Sequence, residues 1–301
     1  MTMPPAATTA AKQGSTAWDT PSLDSQLSYE ERALDPTVPN VARMYDYLLG
    51  GKNHWPADRE AAEQLLKVAP WVREAARSNR AFLGRAVEAV AADGVRQFID
   101  IGSGLPTQKN VHEVAQRIQP GASVVYVDID PVVLVHARAI LAENAHTQVV
   151  QADVRDIDVI LDHPDVRRRI DFEQPIAVVM VALLHFLADA DDPTAIMDTL
   201  QAALPPGSAL IFSHACTDGL EERTVKEATA VYSGATATMT ARSSGGIRGL
   251  FGDEWTWREP GLVPVHQWRL DPDDKALLPE MAANFLGGVA TPRRYQPREA
   301  V

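Results

Sequence analysis

Phe98-Ile-Asp-Ile-Gly-Ser-Gly-Leu-Pro-Thr107 joins an apolar run to two glycines one residue apart, after which a helix is expected to begin. A chain that leaves a strand and turns at once into a helix passes close to any bound ligand, where a Cβ would obstruct the approach. The stretch therefore reads as the first strand and nucleotide loop of a doubly wound α/β sheet. The sequence before it reads as a lid over the loop, and the sequence after it as the rest of the sheet.

Downstream, apolar runs alternate with helical patterns, which predicts parallel strands joined by helical crossovers. Strands are expected at 123–129, 147–152, 176–183 and 209–213, with a helix at 131–143 after the second. The run at 176–183 is apolar almost without break, as a central strand covered on both faces requires. A helix is expected at 220–232, a mobile surface segment rich in Ser, Thr, Ala and Gly at 233–246, and a short helix at 247–251. A strand at 262–268 and a final edge strand at 284–290 complete the sheet.

Upstream, residues 1–38 are rich in Ala, Thr, Ser and Pro and show no sustained apolar period, so they read as a disordered tail. Asn40 can cap a helix whose Val41, Met44, Tyr45 and Leu48 share one stripe and whose Gly50-Gly51 ends it, leaving Arg43, Asp46 and Tyr47 on other faces. A second helix can start at Pro56, with Asp58 and Glu60 in its first turn. A third is expected at 71–92, with Asn79 inside its apolar stripe. A buried amide without partners costs about 1–3 kcal/mol, so Asn79 either bonds to backbone or, with the adjacent Arg80, faces a polar ligand. The division that results is a tail at 1–38, a helical lid at 39–94 and a Rossmann-like domain at 95–301.

The 301-residue chain carries a formal net charge of −12 and one cysteine, Cys216. The acidic balance argues against general affinity for nucleic acid, which needs clustered Lys and Arg. One cysteine allows no intrachain disulfide and no thiolate cluster. The most apolar run, 176–187, is about half the ~20 residues needed to cross a bilayer, and the N-terminus has no basic region followed by an apolar one. The expectation is a cytoplasmic protein without membrane association.

In such sheets ligands bind beyond the carboxyl ends of the strands. The first strand ends in Asp100, Gly102 and Gly104; the second ends in Asp128, 24 positions after Gly104 (128 − 104). An acid about 20 residues after the glycine loop accepts hydrogen bonds from ribose hydroxyls. The third ends in Asp153, within reach of an adenine amino group. Three such features in order at three strand ends point to an adenosine-bearing ligand. A dinucleotide loop would be Gly-x-Gly-x-x-Gly, but the sixth position here is Thr107, and Pro106 stands where the helix is expected to start. Asp100 would repel a pyrophosphate and suits a ligand with a sulfonium and an amino group.

With these residues in place the chain resembles the class I methyltransferases that use S-adenosylmethionine, and specifically a bacterial, actinobacterial-type S-adenosyl methyltransferase family formerly known as a domain of unknown function. The resemblance runs from about Asn40 to Ala290. It rests on Asn40-Val-Ala-Arg-Met-Tyr-Asp-Tyr-Leu-Leu-Gly-Gly-Lys52, Asp58-Arg59, Asn79-Arg80, Phe82-Leu83, the glycine loop, Asn110-Val-His-Glu113 and Tyr126-Val-Asp-Ile-Asp-Pro131. It implies strand order 3-2-1-4-5-7-6 with an antiparallel seventh strand. The third loop glycine usual in the class corresponds here to Pro106. The resemblance implies that Asp100, Gly102 and Gly104 line the methionine part of S-adenosylmethionine, Asp128 the ribose, and Asp153 with Val154 the adenine, with Ser103, Ile129, Asn79 and Arg80 as further cofactor contacts.

Methyl transfer from a sulfonium is catalysed mostly by holding nucleophile and methyl in line, and a general base is needed only for a protonated acceptor. His185, just past the fourth strand, is the candidate base, its alternative being a packed core histidine. His112 reads as structural, and His214, which ends the fifth strand beside Cys216, is given no role. Tyr47, Lys52 and Asp58, together with Arg77 and Arg80, are expected on polar lid faces that close over a small-molecule acceptor. No His or carboxylate pair has a metal-ligand spacing. The rival readings are a non-catalytic cofactor-binding sensor, a nicotinamide oxidoreductase, which would want the sixth-position glycine, and an aminopropyl transferase. On the lid reading, deleting residues 1–35 leaves cofactor binding intact and deleting 1–60 abolishes turnover.

Overall fold

The computed structural model describes residues 28–106, 109–141, 144–270 and 284–293. Strands β1 (Gln97–Ile101), β2 (Ser123–Asp128), β3 (Thr147–Gln151), β4 (Ala177–Val181) and β5 (Ala209–Ala215) are parallel and lie in the order β3-β2-β1-β4-β5. Strands β6 (Trp255–Trp257), β7 (Val263–Pro264) and β8 (Phe285–Pro292) follow in the chain. The β8 strand runs antiparallel to β5 on one side and to β6 and β7 on the other. The expected order is met with β8 in the seventh place, and β7 is an added two-residue piece.

Each parallel strand alternates its apolar side chains between two layers. Ile99, Val125, Val178 and Leu210 pack into one; Phe98, Val124, Val179 and Ile211 pack into the other. The second layer is covered by α4 (Val72–Ala92), α5 (Val111–Ile118) and α6 (Pro131–Leu141). The first is covered by α7 (Ile157–Asp162), α8 (Pro164–Arg169), α9 (Pro193–Ala203) and α11 (Ser244–Arg248). Above the carboxyl end of the sheet, α2 (Val41–Leu49), α3 (Pro56–Val68) and α10 (Glu222–Val231) surround a third apolar cluster built on Met44, Leu48, Leu65 and Tyr232.

Helix α1 (Tyr29–Leu34) lies within the stretch whose composition reads as a tail. Its start is fixed by a capping box in which the Ser28 hydroxyl accepts from the Glu31 amide and the Glu31 carboxylate accepts from the Ser28 amide. The β8 strand is internal, not an edge. On it, a Cβ at Gly287 would meet Val265 at 2.7 Å and one at Gly288 would meet the Gly261 carbonyl at 2.7 Å, so both faces are too close for side chains. The strand expected at 262–268 shrinks to β7 because the chain turns after Pro264, whose carbonyl accepts from the Gln267 amide. Trp268 then packs edge-on against Phe82, with ring centroids 5.5 Å apart.

Lid and sheet are joined by buried polar pairs. The Asn40 carbonyl oxygen of the side chain caps α2 at the Ala42 and Arg43 amides, and its Nδ2 donates to Asp130 just beyond β2. Asp58 is fully buried. Its carboxylate accepts from the amides of Asn40 and Trp55 and from Arg43 Nε, each at 2.7 Å. Arg43 also donates to the carbonyls of Ala33 and Val38 and lies 3.8 Å above the centre of the Trp55 ring. Arg43 and Asp46, expected away from the apolar stripe, are therefore buried in a polar interior of the lid. Among the described residues no helix is long and apolar enough to cross a membrane.

Removing one member of a buried ion pair leaves the other charge uncompensated. Asp58→Ala is therefore expected to lower the unfolding free energy by roughly 3–5 kcal/mol in urea denaturation. A loss below ~1 kcal/mol, the range of exposed pairs, would refute this role.

Candidate active site

The glycine loop leaves β1 and folds back on the end of β2. The amides of Gly102 and Ser103 donate to the Val127 carbonyl, and the Gly104 amide donates to Asp128 Oδ2 at 2.9 Å. Gly102 and Gly104 have φ of +70° and +63°, and a Cβ on Gly102 would also strike Leu183 at 2.6 Å. Asp128 Oδ1 accepts from the Asp130 amide at 3.0 Å. The loop does not run directly into a helix: α5 starts at Val111, where the Asn110 amide donates to Glu113. Pro106 therefore precedes the helix rather than occupying its first turn, and Thr107 lies outside the described residues.

A cavity of about 600 Å³ opens above the ends of β1, β2 and β4. It has two parts of different chemistry. Over the strand ends lie Asp100, Gly102, Ser103, Gly104, Asp128, Ile129, Asp153, Val154, Arg80 and His185, all of which the sequence marks as candidates. Beneath the lid the lining is mostly apolar, with Leu48, Leu49, Leu65, Trp71, Val72, Ala228 and Met239, interrupted by Asp46, Thr224, Thr229 and Ser233.

Burial dominates the electrostatics of the strand ends. It pushes the Asp100 carboxyl up to about 7, against the opposing pull of the Arg80 guanidinium, with Asp128 adding to the rise. Burial likewise pushes Asp128 up to about 6, although backbone amides of Asp130, Gly104 and Ile129 favour its anion. Arg80 is positioned by the Lys109 carbonyl and Asn110 Oδ1, both at 3.3 Å. Two buried acids beside an open loop fit a ligand that brings a cation and hydroxyl donors, which is the donor set of S-adenosylmethionine.

Asp153 lines the cavity, but its carboxylate is clasped by Arg155, whose Nη2 donates to it at 2.6 Å. Five other candidates stand outside the lining. Asn79 Nδ2 donates to the Tyr45 hydroxyl at 3.0 Å, and its Oδ1 accepts from Ser213 Oγ at 2.6 Å, so this amide ties lid to sheet. The Tyr47 hydroxyl donates to Glu63, Lys52 is exposed, and Asp58 belongs to the buried lid network. Arg77 pairs with Glu74 at the surface, at 2.8 Å.

Sequence reasoning missed Tyr29 and Arg32 of α1 and Thr236 and Met239 of the segment read as mobile, all of which line the cavity. The capping box at Ser28 and Glu31 was the available signal for α1. The 233–246 segment is held by Arg242, which is buried and donates to the carbonyls of Leu184 and Leu187, both at 3.0 Å, and to Asp189. The Thr236 amide donates to the Pro39 carbonyl at 2.9 Å, which closes the segment on the lid.

His185 is buried, with its Nδ1 accepting from the Ala215 amide at 3.4 Å and its ring against Phe186, His214 and Phe285. Burial, then His214 and Arg242, hold it well below the ordinary histidine value. His214 donates from Nδ1 to the Ala215 carbonyl and accepts from Arg242 at Nε2. His112 bonds the Tyr126 hydroxyl through both its amide and Nδ1, at 2.9 and 2.7 Å. Among the described residues no three His, Cys, Asp or Glu side chains gather as a metal site.

A parallel-dominated sheet in this order, an acid near the end of β1 with two glycines after it, and a second acid ending β2 define the Rossmann-like fold of class I methyltransferases. The S-adenosyl methyltransferase family matches residues 28–293, and the chain belongs to it. The cofactor is S-adenosylmethionine, and the protein is a methyltransferase that depends on it. Two solved structures are similar throughout. One, from Thermobifida fusca YX and described provisionally as a methyltransferase, is 39% identical, with 93% of this chain and 100% of that chain covered at a TM-score of 0.80. The other, a DUF574 family protein from Streptomyces avermitilis MA-4680, is 35% identical, with 86% and 99% covered at 0.81. Among curated proteins none matches the chain.

Two outcomes follow from this site. Asp100 binds its proton near pH 7 when folded but only near pH 4 when unfolded, so its contribution to stability is complete at low pH and is lost as pH rises through about 7. Asp100→Asn should therefore raise Tm at pH 8 by at least about 2–4 °C and change it little at pH 5; a lower Tm at pH 8 would refute the assignment. Because Tyr29 and Arg32 line the cavity, deleting residues 1–35 should weaken S-adenosylhomocysteine binding where deleting 1–27 does not, as titration calorimetry would show. This reverses the outcome expected from the sequence for the 1–35 deletion.

Proposed function

We propose that the protein transfers the methyl group of S-adenosylmethionine in line to a small-molecule acceptor held in the apolar chamber beneath α2, α3 and α10. The observation that carries the reading is one continuous cavity whose acidic end lies over the glycine loop and whose apolar end lies under the lid. The enclosure and the net charge of −12 both favour a small molecule over nucleic acid.

Asp100 and Arg80 would hold the amino and carboxylate ends of the cofactor, the Gly102–Gly104 backbone its methionine stem, Asp128 its ribose, and Val154 with the Asp153–Arg155 pair its adenine. When bound, the cofactor supplies a methyl carbon whose bond to sulfur breaks with the electron pair staying on sulfur, as the acceptor's lone pair forms the new bond. The chain's own contribution is positioning: the lid and β4 loop close the chamber against water and bring the acceptor to about 3–3.5 Å in line, which alone is worth roughly 7–11 kcal/mol of barrier. His185 stays neutral through the physiological range and is a weak base because burial, then His214 and Arg242, oppose its protonation. We therefore assign it to shaping the chamber, in place of the general-base role expected from the sequence.

Asp128→Ala should weaken S-adenosylmethionine binding by at least roughly tenfold in titration calorimetry, since charged hydrogen bonds contribute about 1.5–3 kcal/mol each. Wild-type affinity should rise from pH 5.5 to pH 7.5, as Asp128 and Asp100 lose protons with values of about 6 and about 7 and become anions. Unchanged affinity in both tests would overturn the cofactor site. Tight binding with no S-adenosylhomocysteine formed across a broad set of small acceptors would favour a sensor over an enzyme.

A further inference from the structure

Tyr232 stands at the C-terminal end of α10 with its ring edge-on to Phe186, centroids 5.7 Å apart, and only 9% of its surface exposed. It lines the chamber, yet among the described residues its hydroxyl has no hydrogen-bond partner. The neighbouring Tyr45 differs: its hydroxyl donates to the Ala76 carbonyl at 3.1 Å and accepts from Asn79. The hydroxyl is not sealed from solvent but open to the cavity it lines, where it can donate to a bound molecule that displaces water. Burial and the nearby Tyr45 push the Tyr232 phenol above its ordinary value, so it remains protonated and acts as a donor.

The charges around the chamber are already taken. Asp46 accepts from the Asn53 amide at 2.8 Å and faces the Gly50-Gly51 turn, where a Cβ on Gly51 would overlap its carboxylate. Arg32 donates to the Ala235 carbonyl at 2.7 Å, and Arg155 holds Asp153. An acceptor carrying its own charge would have to compete with these partners for a counter-ion, which is unfavourable in a largely apolar site. His185 cannot supply one, since burial, His214 and Arg242 keep it neutral.

Building on the methyltransferase reading, we propose that the acceptor is an uncharged, largely apolar small molecule, held through one hydrogen-bond-accepting group by the Tyr232 hydroxyl. Tyr232 is thus a specificity-determining residue of the acceptor chamber. Its nucleophile is one already free at neutral pH, because no lining group acts as a strong base.

The test uses full-length protein saturated with S-adenosylhomocysteine and four naphthalene probes of similar size, with affinities read from titration calorimetry. Neutral 2-acetylnaphthalene should bind at least roughly threefold more tightly than 2-ethylnaphthalene, which lacks the acceptor oxygen, as expected for one net hydrogen bond. The anion 2-naphthoate and the cation 2-naphthylmethylammonium should bind at least roughly tenfold more weakly than the ketone, because the charged lining groups are already engaged within the protein. In Tyr232→Phe the preference for the ketone over the ethyl compound should vanish, while Tm and S-adenosylhomocysteine affinity stay as in the wild type. Equal or tighter binding of a charged probe, or an unchanged ketone preference in the variant, overturns this inference alone. Failure of the wild type to bind S-adenosylhomocysteine overturns the methyltransferase reading instead.

Discussion

Everything above the sheet depends on where four buried polar side chains find partners. Asn40 donates to Asp130 at the end of β2, and its amide is held by Asp58, which also receives Arg43. Apolar contact between helices tolerates sliding, but a buried carboxylate that accepts three donors at fixed positions does not, because any shift leaves a charge or an amide unpaired. The lid is therefore registered to the same strand end that carries Asp128. Chamber and glycine-loop floor are in this way built from one hydrogen-bonded unit, with Tyr45, Asn79 and Ser213 forming a second tie from α2 to β5.

That dependence explains which parts of the molecule were legible in the sequence. The parallel strands announce themselves through unbroken apolar runs, and the Gly102 and Gly104 pair with Asp128 announces the loop, because both arise from contacts close in the chain or from a fixed fold geometry. The lid polar network does not. Arg43 and Asp58 are 15 positions apart (58 − 43), and helical spacing alone reads each as a solvated residue. Their burial becomes visible only once α1, α2 and α3 are folded against one another. The same reason hides the 233–246 segment: its Ser, Thr and Gly content resembles a mobile loop, while the one residue that fixes it, Arg242, takes partners more than fifty positions away at Leu184 and Leu187. The composition of residues 28–38 likewise concealed a helix that a four-residue capping pattern would have revealed.

The cavity carries a gradient that suits its chemistry. At the strand ends, acids are buried far beyond what an isolated fold would favour, so the bare protein bears the cost of desolvating Asp100 and Asp128. A cationic ligand offsets this cost, which couples binding to stability. Arg80 moderates the cost without cancelling it, as a full ion pair there would leave Asp100 satisfied and indifferent to the ligand. Farther under the lid the charged lining groups Asp46 and Arg32 are hydrogen-bonded to backbone, and the low dielectric that raises the Asp100 carboxyl also strengthens every hydrogen bond made there.

The same low dielectric determines what the histidines do. His185 and His214 sit with their rings 5.4 Å apart, and both lie near Arg242, whose guanidinium keeps its charge. A second positive charge in that cluster would be unscreened, so the imidazoles remain neutral and serve as hydrogen-bonded spacers between β5 and the loop after β4. On the proposed reading, a chamber whose lining imidazole stays unprotonated selects acceptors by shape and by neutral hydrogen bonding, and leaves the rate to alignment of the reacting atoms. Alignment in turn rests on the rigidity of the β4 loop, which Arg242 pins at two carbonyls, and on a lid whose register is set by Asn40 and Asp130.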